Sequence, residues 1–177
     1  VSKEQLRECT SALALLSLSD DPQAQLDTAT RYIQRKIPTD LPKISPDGGY
    51  PNHKKIRIGY CSSDFCLHPV AMLTVELLEL HDREKFEIYG FCWSPNDGSE
   101  LRERIIKAFD HHIPIGHLDE KSSAELIRSH EIDILIDLQG QTAGARLHML
   151  AMHPAPIQIT YLGLPATTGI PGIDYVI

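Results

Sequence analysis

A polar loop after the first strand-like run holds the residues best suited to acid–base chemistry. The run Ile56–Ile58 is followed by residues 59–69, GYCSSDFCLHP, in which Asp64 and His68 stand four positions apart. Imidazole accepts protons near neutral pH, and a neighbouring carboxylate can orient it. The residue types leave two interpretations open. Asp64 and His68 form a catalytic pair, or Asp64 caps the loop and His68 packs at the start of the next helix.

Two later loops also carry groups that could bind a ligand. Residues 139–146, QGQTAGAR, combine two glycines with the hydroxyl of Thr142 and the guanidinium of Arg146. Glycines let backbone N–H groups approach a ligand, and Arg146 either binds phosphate or forms an exposed ion pair. Residues 162–172 place apolar side chains in a turn region, which indicates contact with a ligand or with another domain.

Nine histidines raise the question of a metal site, and their spacing argues against one. His111 and His112 are adjacent, so on a strand they point to opposite faces and cannot hold one ion together. HExxH and paired Cys/His spacings are absent, so we expect no metal. His111 stands at the entry to a strand-like run, where it either lines a cleft or is half-buried. The sequence also lacks the glycine patterns of dinucleotide and P-loop sites.

Strand-like and helix-like runs alternate from residue 55 onward. The predicted strands are 56–61, 86–93, 112–115, 132–138, 157–161 and 173–177, and the predicted helices are 70–80, 99–109, 120–130 and 145–152. Such alternation predicts parallel strands joined by helical crossovers. We therefore predict an α/β fold with a doubly wound parallel sheet. Polar loops at the carboxyl ends of its strands would form the site.

Two other segments precede this region. Residues 1–36 show apolar residues at helical spacing, including Leu6 and Cys9, and an Asp21-Pro22 pair that suits a helix start. They predict two helices, as at the end of a helical repeat array. Residues 37–54 contain four prolines and a glycine pair, which predicts a linker.

Overall composition narrows the partners and the compartment. A net charge of −7 argues against broad nucleic-acid binding, and no apolar run is long enough for a membrane helix. The four cysteines show no disulfide or metal spacing, which favours a reduced, cytoplasmic setting. Both ends of the sequence suggest a fragment of a longer protein.

Several ordered motifs in residues 55–177 resemble the catalytic region of O-GlcNAc transferases, the glycosyltransferase group that includes the SPINDLY proteins and bacterial relatives with tetratricopeptide repeats. The matching stretches are 56–65 with His68-Pro69, 86–91, Asp97-Gly98, 144–146, 154–158, Leu162-Gly163 with Pro165 and Gly169, and 174–177. The bacterial relatives are the most similar in appearance. Residues 1–36 resemble the end of the tetratricopeptide-like region.

The resemblance implies the N-terminal, Rossmann-like lobe of a GT-B fold. It implies inverting transfer of N-acetylglucosamine from UDP-GlcNAc to Ser or Thr of proteins, with no cofactor or metal. The donor would be held mainly by a C-terminal lobe that this chain lacks, so we expect the chain to be inactive alone. Two alternatives stay open: a non-catalytic, repeat-linked protein-binding module, and a related transferase that uses another sugar nucleotide.

The resemblance also assigns roles to individual residues. His68 matches an active-site histidine, Asp64 would support its loop, and His111 matches a second histidine in the cleft. Leu162 and Gly163 match a backbone segment that binds sugar hydroxyls. We expect the remaining substrate-binding residues in the two later loops: Pro165 in residues 162–172, and Thr142 and Arg146 in residues 139–146. Leu67 departs from the polar residue usual before the histidine, and Gln141–Ala143 also differ, which puts the acceptor preference in doubt.

Overall fold

The computed structural model describes residues 11–177, so Leu6 and Cys9 lie outside the described range. Its helices are α1 (Ala12–Leu15), α2 (Pro22–Lys36), α3 (Pro69–Glu79), α4 (Glu100–Ala108), α5 (Glu120–Ser129) and α6 (Leu147–Ala151). Its strands are β1 (Ile56–Ser62), β2 (Phe86–Cys92), β3 (His111–Pro114), β4 (Ile134–Asp137), β5 (Ile157–Thr160) and β6 (Tyr175–Val176). Strand and helix alternate from β1 to β5, as the sequence predicts.

The strands form one parallel sheet in the order β3-β2-β1-β4-β5-β6. This is the order of a doubly wound sheet, in which the chain first builds outward from β1 on one side and then on the other. The reversal lies between β1 and β4, and in sheets of this kind the loops at the carboxyl ends of the two strands at the reversal form the ligand site. The predicted α/β fold with a doubly wound sheet is confirmed.

The two faces of the sheet carry separate hydrophobic cores because side chains alternate along each strand. On one face, α3 and α4 pack through residues such as Leu78 and Ile105 onto Ile58 and Ile88. On the other face, residues of α5 and α6, including Ile127, lie in the core that surrounds the centre of the sheet. Helices thus cover both faces, which explains why the central strand β4 begins with an uninterrupted apolar run.

The segments that precede β1 pack against this sheet domain. Asp21 caps α2 by accepting bonds from Gln23 N and Ala24 N at 3.0 and 3.2 Å, as the Asp-Pro pair predicts. Residues 37–55 contain no helix or strand. Two backbone bonds, Ile44 N to Met152 O at 2.9 Å and Ser45 N to His153 O at 3.0 Å, attach the segment to the domain.

Candidate functional site

The loop between β1 and α3 is held by three contacts with the segment that follows β2. Phe65 N donates to Ser94 Oγ at 2.7 Å, and Leu67 N donates to Asp97 Oδ2 at 2.6 Å. Arg102 Nη1 donates to the carbonyl of Phe65 at 2.6 Å. Two backbone N–H groups and one carbonyl of the loop are therefore hydrogen-bonded within the protein before a ligand binds. A positioned catalytic group needs such preorganisation.

Gln139 joins this first loop to the loop after β4. Its side chain is buried, and its Oε1 accepts bonds from Ser62 Oγ at 3.2 Å and Ser63 N at 3.1 Å. Its Nε2 donates to Asp64 Oδ2 at 3.0 Å, Thr142 Oγ1 at 3.0 Å and Ala143 O at 2.9 Å. One buried amide thus holds the two loops at the reversal of strand order in a single arrangement.

His68 occupies the N-cap of α3, with Pro69 at the first helical position. Its Nδ1 accepts a bond from Val70 N at 3.3 Å, and Asp64 Oδ2 lies 3.6 Å from the same nitrogen. The His68 side chain is 42% exposed, whereas that of Asp64 is 17% exposed. The structure therefore shows the structural roles considered for the two residues, because Asp64 holds the loop and His68 caps the helix, and it also leaves His68 facing solvent.

A buried cation lies beneath this loop. Arg102 is only 8% exposed, and its Nη1 also points at Cys92 Sγ, 3.7 Å away. Burial would raise the pKa of the Cys92 thiol, but hydrogen bonds from His112, Ser94 and Arg102 lower that pKa to about 7. Among the ion pairs of residues 11–177, none involves Arg102. The guanidinium thus donates to the Phe65 carbonyl and lies beside the Cys92 sulfur rather than beside a carboxylate.

Asp137 ends β4 and is completely enclosed. Gly140 N donates to its Oδ2 at 2.7 Å and Gln139 N to its Oδ1 at 3.2 Å, so it shapes the turn that begins the third loop. Burial raises the pKa of this carboxyl to about 7, although the two backbone bonds act in the opposite direction. The group is a structural acid with no access to a ligand.

Thr142 and Arg146 are turned toward the protein. Thr142 Oγ1 donates to Gln139 O at 2.8 Å and accepts from the Gln139 amide. Arg146 is 10% exposed; its Nε donates to Glu120 Oε1 at 2.9 Å, and its two terminal nitrogens donate to backbone carbonyls. Trp93 lies over this guanidinium at 5.7 Å. Arg146 therefore fits neither alternative considered above, because it forms a mostly buried ion pair that supports the loop.

The last loop, residues 161–172, lies beside the third loop. Leu162 has a φ of 65°, and a Cβ on Gly163 would stand 2.1 Å from the carbonyl oxygen of Leu138, so only glycine fits there. Pro165 is exposed. Leu162 and Pro165 line an open cavity of about 700 Å³ that extends over residues 160–177. The predicted sugar-binding segment thus lies at the carboxyl edge, one strand away from Gln139.

Comparison with known proteins shows the family of the chain. A family model described as glycosyl transferase family 41 matches residues 36–177. The chain belongs to glycosyltransferase family 41. It is 41% identical over 140 residues to the probable UDP-N-acetylglucosamine–peptide N-acetylglucosaminyltransferase SEC of Arabidopsis thaliana, which covers 79% of this chain and 14% of the relative.

Two further similar proteins are also N-acetylglucosamine transferases by name. A UDP-N-acetylglucosamine–peptide N-acetylglucosaminyltransferase of Caenorhabditis elegans is 38% identical over 127 residues, covering 71% of this chain and 11% of that protein. Among solved structures, a mutant of Thermobaculum terrenum O-GlcNAc transferase matches with a TM-score of 0.76 and 32% identity, over 88% of this chain and 30% of that one. The chain therefore spans a small part of each family 41 relative.

His111 does not join the site of this family 41 lobe. It begins β3 and pairs with Tyr89, while Pro114 at the other end of β3 pairs with Cys92 at the carboxyl end of β2. Its Nε2 bonds Glu87 Oε1 at 2.9 Å, and its ring stacks on Tyr89. The expectation that His111 lines the cleft disagrees with this placement, because the first residue of a parallel strand lies away from the carboxyl edge.

Sequence reasoning did not find three residues that hold the family 41 site together: Trp93, Arg102 and the buried amide of Gln139. A signal existed for Arg102, which shares helical spacing with Ile105 and Phe109 and so falls on the buried side of α4. Trp93 Nε1 donates to Gly144 O at 2.9 Å across 51 residues of sequence. That contact had no local signal.

Residues 11–177 lack two further features. No cluster of three or more His, Cys, Asp or Glu side chains in this range could hold a metal ion. In the same part of the chain, no helix has the length and apolar character needed to cross a membrane.

Proposed function

We propose that this lobe belongs to a protein O-GlcNAc transferase-like enzyme, which transfers N-acetylglucosamine from UDP-GlcNAc to Ser or Thr hydroxyls of proteins with inversion. The names of its relatives describe transfer of N-acetylglucosamine from the UDP sugar to peptide. The observation that carries the proposal is the exposed His68, at the helix cap that follows β1, next to the point where strand order reverses.

A division of labour between two lobes supports the reaction. Inverting transfer needs the acceptor hydroxyl and the leaving diphosphate on opposite faces of the sugar. We assign the loops after β1, β4 and β5 to one wall of that site, and the main diphosphate-binding groups to a second, donor-binding lobe outside this chain. Without that lobe the 177-residue chain would show weak UDP binding and no transfer.

Within the wall, the residues take different roles. His68 contacts substrate directly, whereas Asp64 positions the loop through its bond to Gln139. Leu162, Gly163 and Pro165 are the candidate sugar-binding segment. Thr142 and Arg146 shape the third loop from behind rather than binding substrate, because their polar atoms are engaged within the protein.

Paired variants in the full-length protein that carries this chain test the assignment. His68→Ala should lower kcat/KM for transfer from UDP-GlcNAc to an acceptor peptide on the order of 100-fold, as expected when a substrate-contacting hydrogen-bonding group is removed. His111→Ala is the matched control and should stay within about 3-fold, since we place it outside the site. Equal losses for the two variants would contradict the assignment.

A panel of UDP- and GDP-sugars then separates the alternatives. Hydrolysis or transfer with UDP-GlcNAc alone supports the proposed donor. A preference for another nucleotide sugar would indicate the related transferase, and no turnover with any donor would indicate a non-catalytic binding module.

We also propose a cytoplasmic enzyme in which residues 1–36 end a tetratricopeptide-like region. The described cysteines Cys61, Cys66 and Cys92 are all free thiols, as in a reducing compartment. Helices α1 and α2 contact each other in the manner of a helix pair. Cell fractionation of the tagged full-length protein would test the compartment.

A further inference from the structure

The helix cap decides which nitrogen of His68 carries its proton. Val70 N–H is a backbone group that can only donate, and it points at His68 Nδ1 from 3.3 Å. Nδ1 must therefore offer a lone pair. In a neutral imidazole only one nitrogen is protonated, so the proton lies on Nε2.

Asp64 does not provide the alternative arrangement. A carboxylate that orients a catalytic base accepts a hydrogen bond from Nδ1–H. Asp64 Oδ2 stands 3.6 Å from Nδ1, beyond hydrogen-bond range. Both of its oxygens already accept other bonds, from Ser63 Oγ at 2.9 Å and Gln139 Nε2 at 3.0 Å. The geometry thus lacks the carboxylate–imidazole bond of a general-base dyad.

The opposite nitrogen is available to a ligand. The His68 side chain is 42% exposed, and the hydrogen bonds of residues 11–177 include none to its Nε2. The ring also stands at the N-terminus of α3, where the helix dipole favours negative charge. Pro69 has no N–H, and the Val70 N–H is bound to His68, so Nε2–H is the first donor that an incoming oxygen meets.

We propose that neutral His68 donates its Nε2–H to an electron-rich oxygen of the bound sugar nucleotide, on the diphosphate or the sugar, and does not remove the proton of the acceptor hydroxyl. The substrate half of this inference rests on the proposed function, whereas the tautomer rests on the fold alone. A base at Nε2 would need Nδ1–H, which would face the Val70 N–H and break the cap.

Nuclear magnetic resonance of the 177-residue chain tests the tautomer without any activity. Two-bond ¹H–¹⁵N correlation of ¹⁵N-histidine-labelled protein distinguishes a protonated from a bare ring nitrogen, and the signals lost in His68→Asn assign the residue. In the neutral ring we expect Nε2 protonated and Nδ1 bare. A ring protonated mainly on Nδ1 would overturn the proposal.

Two substitutions in the full-length protein test the role. Asn is a good N-cap, so His68→Asn keeps the bond to Val70 but cannot reach the position of Nε2. His68→Gln places an amide donor near that position but caps poorly. A donor role predicts that Gln retains at least about 10-fold more kcat/KM than Asn, although Asn gives the more stable protein.

Every other ranking argues against the donor role. A purely structural cap predicts that Asn is the more active variant, and a general base predicts that Asn, Gln and Ala are equally inactive. If the wild-type protein itself transfers no sugar, the proposed function fails. The resonance experiment then still decides whether His68 presents Nε2–H.

Discussion

The two edges of the sheet differ in how their polar groups are used. The amino edge gathers six ionisable side chains: His53, Arg57, Glu87, His111, Glu131 and Asp133. They pair with one another throughout. His53 bridges Asp133 and Glu131 at 2.9 and 3.1 Å, and Arg57 bridges Glu87 and Glu131 at 3.2 Å each.

The carboxyl edge also carries ionisable side chains, and most of them are bound by the scaffold: Asp64, His68, Asp97, Arg102, Asp137 and Arg146. Its Asp64 is bound by the Gln139 amide, and its buried Asp137 caps a turn. His68, in the loop after β1, presents a ring nitrogen without a hydrogen bond to solvent. Because ionisable residues occur at both edges, their abundance does not mark the site of this lobe. The site is where the scaffold holds its own polar groups and still exposes one.

Replacing the buried amide at the carboxyl edge should have the largest effect. Gln139→Leu keeps the volume but leaves Ser63 N, Asp64 Oδ2 and Ala143 O without their partner. Unpaired buried polar groups cost about 1–3 kcal/mol each, and partial rehydration limits the total, so we expect unfolding free energy to fall by about 3 kcal/mol. Urea unfolding of the 177-residue chain measures it.

The matched control lies at the amino edge. Glu87→Gln keeps the shape and removes one charge from a half-exposed network, where such pairs contribute at most about 1 kcal/mol. If the two variants lose the same stability, the contrast between a buried scaffold and a solvated network is wrong.

Much of the fold follows from local sequence patterns. The β1 apolar run and the Asp21-Pro22 cap are short-range signals, and each appears in the structure where the sequence predicts it. Element ends were less well defined: the predicted strand over 173–177 shortens to Tyr175–Val176. Register and strand order depend on contacts across the sheet. The alternating pattern predicted their parallel direction and not their order.

The site was less predictable because its contacts are long-range. A guanidinium in a glycine loop suggests phosphate binding, yet Arg146 turns inward because Glu120 and two carbonyls on the preceding crossover satisfy it. Every strand of a parallel sheet is entered at the amino edge, so His111 at the start of β3 lies away from the loops that the resemblance assigned to the cleft. The resemblance identified His68, and only the backbone geometry at Val70 reveals its tautomer.

An intermediate effect is expected from the buried acid of the carboxyl edge. The folded-state pKa of Asp137 is raised to about 7, above the unfolded value of about 4. Its contribution to stability is therefore complete below about pH 4 and is lost as pH rises through 7. Asp137→Asn cannot ionise and retains one acceptor for the turn. Between pH 5 and 8 its unfolding free energy should fall about 2 kcal/mol less than that of the wild type.

Urea unfolding at four pH values gives both profiles, and the difference between them isolates this one group. Parallel profiles would show that Asp137 is ionised in the folded protein at pH 5. Because the carboxyl is enclosed, the difference should also persist in 0.5 M salt, which screens exposed charges only.

The smallest effect is expected from the imidazole of the amino edge, and it completes the comparison. Burial disfavours the charged ring of His53, but its hydrogen bonds to Asp133 and Glu131 outweigh burial and raise its pKa. Its contribution is therefore present below about pH 6.5 and is lost as pH rises through the higher folded-state value. His53→Gln keeps one bond but no charge, so at pH 5.5 it should lose below about 1 kcal/mol.

The effect of salt on unfolding free energy distinguishes the two edges most clearly. Glu131 is half-exposed, so 0.5 M salt should abolish most of the pH-dependent difference between His53→Gln and wild type in urea unfolding. The same salt should leave the Asp137 difference in place. If both stability differences respond to salt alike, the two edges share one electrostatic environment. The exposure of His68 then no longer distinguishes the carboxyl edge.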